Sequence, residues 1–210
     1  MPTVSALRPT RREGRVSVHL DGRFGFAVEA SFVLRHGLFV GLELSAEQCA
    51  ALRADAGADR VLADAYRLLA HRARSRTELA GRLRAKGHAD EIVEATLVRL
   101  QGDGLIDDQA FAAAFVADKR RLSGWGANRI AGELARMGVA ADVVQAALPQ
   151  SDETRHDELA RARAALQRRG PARPPLEAAR KRAYEFLMRR GYPSAVAYQV
   201  VREWSAGSAD

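Results

Sequence analysis

Arginine is the residue type in this 210-residue chain most able to do chemistry, and it comes in clusters. From Arg67 to Lys86 there are seven basic residues and one acid, Glu78. From Arg155 to Arg190 there are eleven basic residues and four acids. Lys119-Arg-Arg121 forms a third cluster beside Trp125. A guanidinium is a planar fork of donors that grips phosphate or carboxylate at two points, so the chemistry on offer is recognition of a polyanion. A net charge of +7 and a pI of about 10.3 favour such a partner without choosing between nucleic acid and an acidic protein face. Lysine is nearly absent, with Lys86, Lys119 and Lys181 alone among 33 basic residues, and GC-rich coding accounts for part of that bias. Taken singly, each charge run reads equally well as a solvated face. Three clusters on one repeat plan favour a shared binding face. Its candidates are Arg72, Arg74, Arg82, Arg84 and Lys86, then Lys119, Arg120, Arg121 and Arg129. If Z of them touch phosphate, log affinity falls with log salt at a slope near −0.9Z.

Catalytic chemistry is thinly represented. Asp107-Asp108 has the form of a paired-carboxylate site, but capping the helix that follows is the better account. The histidines at 19, 36, 71, 88 and 156 show no metal-ligand spacing with Cys49 or the acids. Gly124-Trp-Gly126 lacks the strand and third glycine of a dinucleotide fingerprint, and no Walker-type loop occurs. Trp125 reads as a packing anchor ahead of a base-stacking platform, and Phe111 and Phe115 read as core. These observations predict no enzyme, no metal and no cofactor.

The clusters sit on a repeated frame. With Gly87, Gly138 and Gly191 in register, apolar residues stand eight and four positions earlier: Leu79 and Leu83, Ile130 and Leu134, Ala183 and Leu187. Val93, Val144 and Val196 follow five or six residues after, and Leu97, Leu148 and Val201 ten after. The glycines are 51 and 53 residues apart. Each copy reads as a helix with an apolar stripe, a glycine stop and a second helix. Ser75-Arg-Thr-Glu78 has the capping-box form at the first of them. Gly81 and Gly132 occupy matching interior positions, where close helix–helix approach is the expected compensation for the cost of glycine. A two-helix unit cannot cover its own stripe, so the copies should stack.

Upstream, residues 1–12 read as a loose basic arm. Val16–Leu20, the Asp21-Gly22 turn and Phe24–Val28 read as a β-hairpin leaning on a short helix over Ala30–Arg35. Ser45-Ala-Glu-Gln48 is a second capping box, opening a helix over Cys49–Arg53 that ends near Gly57. A new helix is expected over Arg60–His71 with Leu62, Tyr66 and Leu69 inward. In the second repeat Phe111, Phe115 and Leu122 form the expected buried edge and Pro149 the close. A Pro-rich loop over 170–175 splits the third. The predicted fold is mainly α: tandem three-helix repeats in an elongated curved array, preceded by a small N-terminal β-hairpin/helix module. The expected divisions are 1–57 for the module, then 58–106, 107–150 and 151–210 for the repeats. A single cysteine forms no intramolecular disulfide and suits a reducing compartment. No apolar run approaches the ~20 residues of a membrane span and no signal peptide opens the sequence, so a cytoplasmic protein without membrane contact is expected.

The run Ala65-Tyr-Arg-Leu-Leu-Ala-His-Arg-Ala-Arg-Ser-Arg-Thr-Glu-Leu79, then Leu83, Lys86-Gly87, Leu100 and Gly104-Leu-Ile-Asp-Asp108, resembles the RecX family. Phe111-Ala112, Gly126, Ile130, Glu133-Leu134 and Gly138 extend the likeness over most of the chain. The resemblance implies a non-enzymatic, monomeric regulator of the bacterial RecA recombinase. Such a protein lies along the groove of the RecA–DNA filament and limits its growth, ATP turnover, strand exchange and coprotease activity. It also implies weak, electrostatic binding to single- and double-stranded DNA. The residues alone leave a second reading open: paired helices around a glycine turn mimic helix-turn-helix geometry, as in a free-standing DNA-binding transcriptional regulator.

Overall fold

The computed structural model describes residues 1–148, 152–170 and 176–206, with side chains excepted at 152–155. The chain divides into two units, Met1–Ala73 with Leu79–Leu105, and Arg74–Glu78 with Ile106–Asp210. Pro149, the loop prolines, Arg173 and the side chain of Arg155 lie outside the described residues.

The first unit opens on an antiparallel sheet of β1 (Val4–Pro9), β2 (Arg15–Leu20) and β3 (Arg23–Glu29), in that order. The expected loose arm is therefore a strand. Leu7 pairs with Val18 and Pro9 with Val16, while Val4 is completely buried. A third strand gives the otherwise marginal hairpin the apolar face it needs, and proline is tolerated because β1 is an edge. The hairpin turn is as its sequence requires, with Asp21 and Gly22 at φ 48° and 77°. Val18, Leu20, Phe26 and Val28 point inward against Phe32 of α1 (Ala30–Arg35), Leu38, Leu44, Cys49, Leu52 and Ala56.

The helix break expected at Gly57 is absent: α2 runs unbroken over Ala46–His71. Its start is as written, for Ser45 Oγ accepts from the Gln48 N–H and Gln48 Oε1 accepts from the Ser45 N–H. At Gly57 the glycine has ordinary space, a Cβ there lying 3.6 Å from Ile92, so nothing interrupts the helix. Val61 and Ala65 face inward instead of Tyr66, which is exposed. The first repeat continues through α3 (Arg76–Arg84) and α4 (Asp90–Gly102), with Leu79, Leu83, Val93, Leu97 and Leu100 wholly buried.

The second unit holds α5 (Asp108–Asp118), a π-helical turn (Lys119–Ser123), α6 (Ala127–Arg136) and α7 (Ala141–Ala147). Asp107 caps α5, its carboxylate accepting from the N–H groups of Gln109 and Ala110. Ala112, Val116, Ile130, Leu134, Val139, Val144 and Leu148 form the core, with Phe111 and Phe115 packed against it. Leu122 departs from the expected edge: it lies in the π-helical turn and is 69% exposed. The third repeat, α8 (Asp152–Gln167), α9 (Leu176–Arg189) and α10 (Ser194–Ala206), packs Leu159, Leu166, Ala183, Leu187, Tyr192 and Val200. No helix among the described residues is long and apolar enough to cross a membrane.

Gly87, Gly138 and Gly191 all take the left-handed conformation, with φ between 75° and 83°, as residues that end a helix. Two of them also receive the start of an earlier helix. Ser75 Oγ donates to the Met137 carbonyl and Thr77 Oγ1 to the Gly138 carbonyl, at 2.9 Å for the latter. Fifty-one residues on, the N–H groups of Gly126 and Asn128 donate to the Arg190 and Gly191 carbonyls at 2.8 and 3.0 Å. The beginning of one middle helix thus meets the end of the next, so unpaired N–H or hydroxyl donors meet unpaired carbonyls. The approach is too close for a side chain, since a Cβ on Gly126 would lie 2.5 Å from the Gly191 backbone.

Gly81 and Gly132 behave otherwise. A Cβ at either meets nothing within 4 Å, so the expected close helix approach does not account for them. Gly81→Ala and Gly132→Ala are therefore expected to raise stability by up to about 1 kcal/mol each in denaturant titration. Gly126→Ala, which must displace backbone, is expected to lower it by about 1–3 kcal/mol.

Candidate polyanion-binding surface

The structure sorts the candidate cations by how far the fold already uses their charge. In the first cluster Arg74 is buried, and its guanidinium sits 2.5 Å from Glu78. One helical turn separates the two, so this pair locks the start of α3 instead of facing solvent. Glu78 meanwhile gives its N–H to Ser75 Oγ at 3.1 Å. Arg84 is exposed but bridges Asp90 and Glu94, each at 2.7 Å, and the bond to Asp90 is the main cause of its raised pKa. Lys86 reaches Asp64 at 3.0 Å. Arg72 stands at the end of α2, donating to the Ala73 carbonyl, and both Arg72 and Arg82 are exposed.

Asp64 gathers three cationic or donor groups. Lys86 and Arg67 lie 3.0 and 2.9 Å from its Oδ1, and His88 Nε2 lies 2.8 Å from Oδ2. Burial pushes this carboxyl upward, yet the bonds from His88 and Lys86 and the charges of Lys86 and Arg67 together outweigh it. Its pKa falls below the ordinary 3.8. Lys86 is therefore a strut between α2 and the α3–α4 turn.

The second cluster is more open. Lys119 lies 5.1 Å from the Phe115 ring and 4.9 Å from Trp125, and the Arg129 guanidinium lies 4.0 Å from Trp125. Cation–π contacts of this kind contribute about 0.5–1 kcal/mol at exposed sites. Trp125 is half-buried, so it is at once a packing anchor and the platform that fixes two cations. Arg129 also donates to the Arg189 carbonyl at 3.3 Å. The Arg121 side chain is 74% exposed, with only a long 3.5 Å contact to Asp118. Arg120 is half-buried, with the Arg161 charge facing it. Three further arginines approach the same turn: Arg161, Arg168 and Arg190. Sequence reading counted them in a charge run but did not single them out. The repeat register offered one signal, for Arg190 directly precedes the helix-ending Gly191.

Asp107 serves as a helix cap, and among the described residues no group of three His, Cys, Asp or Glu is placed to hold a metal ion. Cys49 is a free, buried thiol in the N-terminal core.

Comparison with known proteins shows what the chain is similar to. The family model for the RecX first three-helix domain matches residues 62–100, the second 107–148 and the third 156–201. The regulatory protein RecX of Limosilactobacillus reuteri is 27% identical over 203 residues, spanning 97% of this chain and 76% of that protein. That of Thermobifida fusca is 36% identical over 148 residues, covering 69% of this chain and 78% of its own length. A crystal structure of regulatory protein RecX superposes with a TM-score of 0.70 at 25% identity, over 97% of this chain and all of that one. The RecX structure from Lactobacillus salivarius shares the fold, with a TM-score of 0.63 at 16% identity over 71% of this chain and 97% of that one.

The Asp64 network yields a pH test. A carboxyl whose folded pKa is depressed adds stability above its unfolded pKa, near 3.9, and that part is lost as pH falls below it. Asp64→Asn is expected to cost about 1–3 kcal/mol at pH 7, where it removes the charge facing Lys86 and Arg67 and one of the two acceptor oxygens. In denaturant titrations between pH 7 and pH 3, the variant should lose less stability than the parent.

Proposed function

The chain belongs to the RecX family, and from that premise we propose that it is a negative regulator of the RecA recombinase. It engages the RecA–DNA filament along its groove and limits filament growth, so that ATP turnover, strand exchange and coprotease activity fall together. DNA contributes a weak electrostatic part of the attraction, and the chain acts as a cytoplasmic monomer. Repeats 58–106, 107–150 and 151–210 act as successive contact modules behind the 1–57 module.

The observation that carries this reading is the Lys119–Arg129 surface on a repeat the family model matches. Two cations fixed over one indole, with Arg121 exposed beside them, form a pre-ordered positive patch. Pre-ordering matters because a long side chain held in place loses less freedom on binding. In the first repeat, Arg72 and Arg82 are the exposed candidates, while Arg74 is buried on Glu78.

The test is ATP turnover by RecA on single-stranded DNA, titrated with this protein well below one copy per RecA. Turnover is expected to fall at those ratios, without matching competition for the DNA. A Lys119→Ala/Arg121→Ala/Arg129→Ala variant should need about tenfold more protein for the same effect, as loss of complementary surface charge weakens encounter. Unchanged turnover at every ratio contradicts the proposal.

A further inference from the structure

The turn that joins α5 to α6 collects more positive charge than the fold uses. The π-helical turn Lys119–Ser123 ends at Gly124 in the left-handed conformation, φ 58°. Arg190 Nη1 donates to the Ser123 carbonyl at 2.8 Å, and Tyr192 OH donates to the Gly124 carbonyl at 3.2 Å. Arg168 comes to the same place: its Nη2 lies 3.7 Å, and Arg190 Nη1 3.0 Å, from where a Cβ on Gly124 would stand. Arg120 comes from the π turn itself and Arg161 from α8. Burial and then the facing Arg161 charge lower the pKa of Arg120, with Glu158 and Asp157 opposing.

Among the described residues these four guanidiniums outnumber the carboxylates that act on them, Glu158 and Asp157. Among the described residues none of Arg120, Arg161, Arg168 and Arg190 makes an ion pair. Glu158 is itself buried and accepts from the Ala127 N–H at 2.9 Å. Arg161 Nε is buried without any acceptor. Crowding like charges at a half-buried turn is costly, and an anion that pairs with them relieves the cost. A carboxylate satisfies one fork. Forks converging from the π turn, α8 and the end of α9 match a group with three or four charged oxygens, which is a phosphoryl group.

We propose that Arg120, Arg161, Arg168 and Arg190 form a phosphate-binding site around the Gly124 turn. The phosphoryl group comes from a free phosphate compound or from a nucleic-acid backbone. The site stands apart from the regulatory proposal, since it is tested on this protein alone.

Calorimetric titration of the full chain with pyrophosphate, at constant ionic strength, tests the first source. One equivalent should bind, and Arg120→Gln or Arg161→Gln should weaken it at least about tenfold. Arg53→Gln, on the exposed face of α2, should leave it unchanged. Titration of a labelled oligothymidylate tests the second source: the same two variants should flatten its log-affinity against log-salt slope by about 0.7 per lost phosphate contact. The thermal midpoint of either variant without ligand should not fall, because each removes an uncompensated like charge. Arg161→Lys keeps the charge but loses the fork and should bind more weakly than the parent. If neither ligand's binding responds to Arg120→Gln and Arg161→Gln, or if Arg53→Gln weakens it equally, the site does not exist.

Discussion

The start of one middle helix docking onto the end of the next is the contact the second unit depends on. Ser75 and Thr77 reach the carbonyls of Met137 and Gly138, and Gly126 and Asn128 reach those of Arg190 and Gly191. Each junction joins donors at the start of a helix to carbonyls at the end of another, so the two sets of unpaired groups satisfy one another and the two dipoles run head to tail. Glycine is required there twice over. It supplies the left-handed turn, and its missing side chain admits Thr77 at one junction and Arg129 at the other. A turn residue thereby becomes the register mark of the repeat, and its period follows from the junction.

The same junction decides which cations can serve a partner. It brings Arg129 against Gly191 and holds its guanidinium over Trp125. It also carries Arg190 onto the carbonyls of the Ser123–Gly124 turn. The arginines nearest the start of α3 are spent locally, Arg74 on Glu78 and, at the far end, Arg84 on Asp90 and Glu94. Abundant arginine in sequence thus resolves into structural pairs, a platform at Trp125 and a group in which guanidiniums outnumber carboxylates.

The repeat frame was legible in the sequence because glycine and apolar spacing report on local geometry. Gly87, Gly138 and Gly191 are left-handed and the stripes at Leu79, Leu83, Ile130 and Leu134 are buried, as the register required. Caps at Ser45 and Asp107 were legible for the same reason. Strand β1 was not, since its pairing with β2 depends on a partner sixteen residues away at Val4 and Leu20. Nor was the unbroken α2, where packing tolerates a glycine that local preference disfavours. The open space at Gly81 and Gly132 and the exposure of Leu122 were equally invisible, as both arise from how elements meet. For the surface, residue type named the chemistry but not the members: Arg74 is buried, while Arg161 and Arg190 converge on a turn more than thirty residues away in sequence.

Co-sedimentation with RecA filaments assembled on single-stranded DNA tests the regulatory account most directly. The chain should pellet with filaments in moderate salt, and charge reversal by Lys119→Glu/Arg129→Glu should leave most of it in the supernatant while its circular dichroism stays that of the folded parent. A chain that stays in the supernatant with filaments present, or a reversed variant that pellets as well as the parent, would contradict the account.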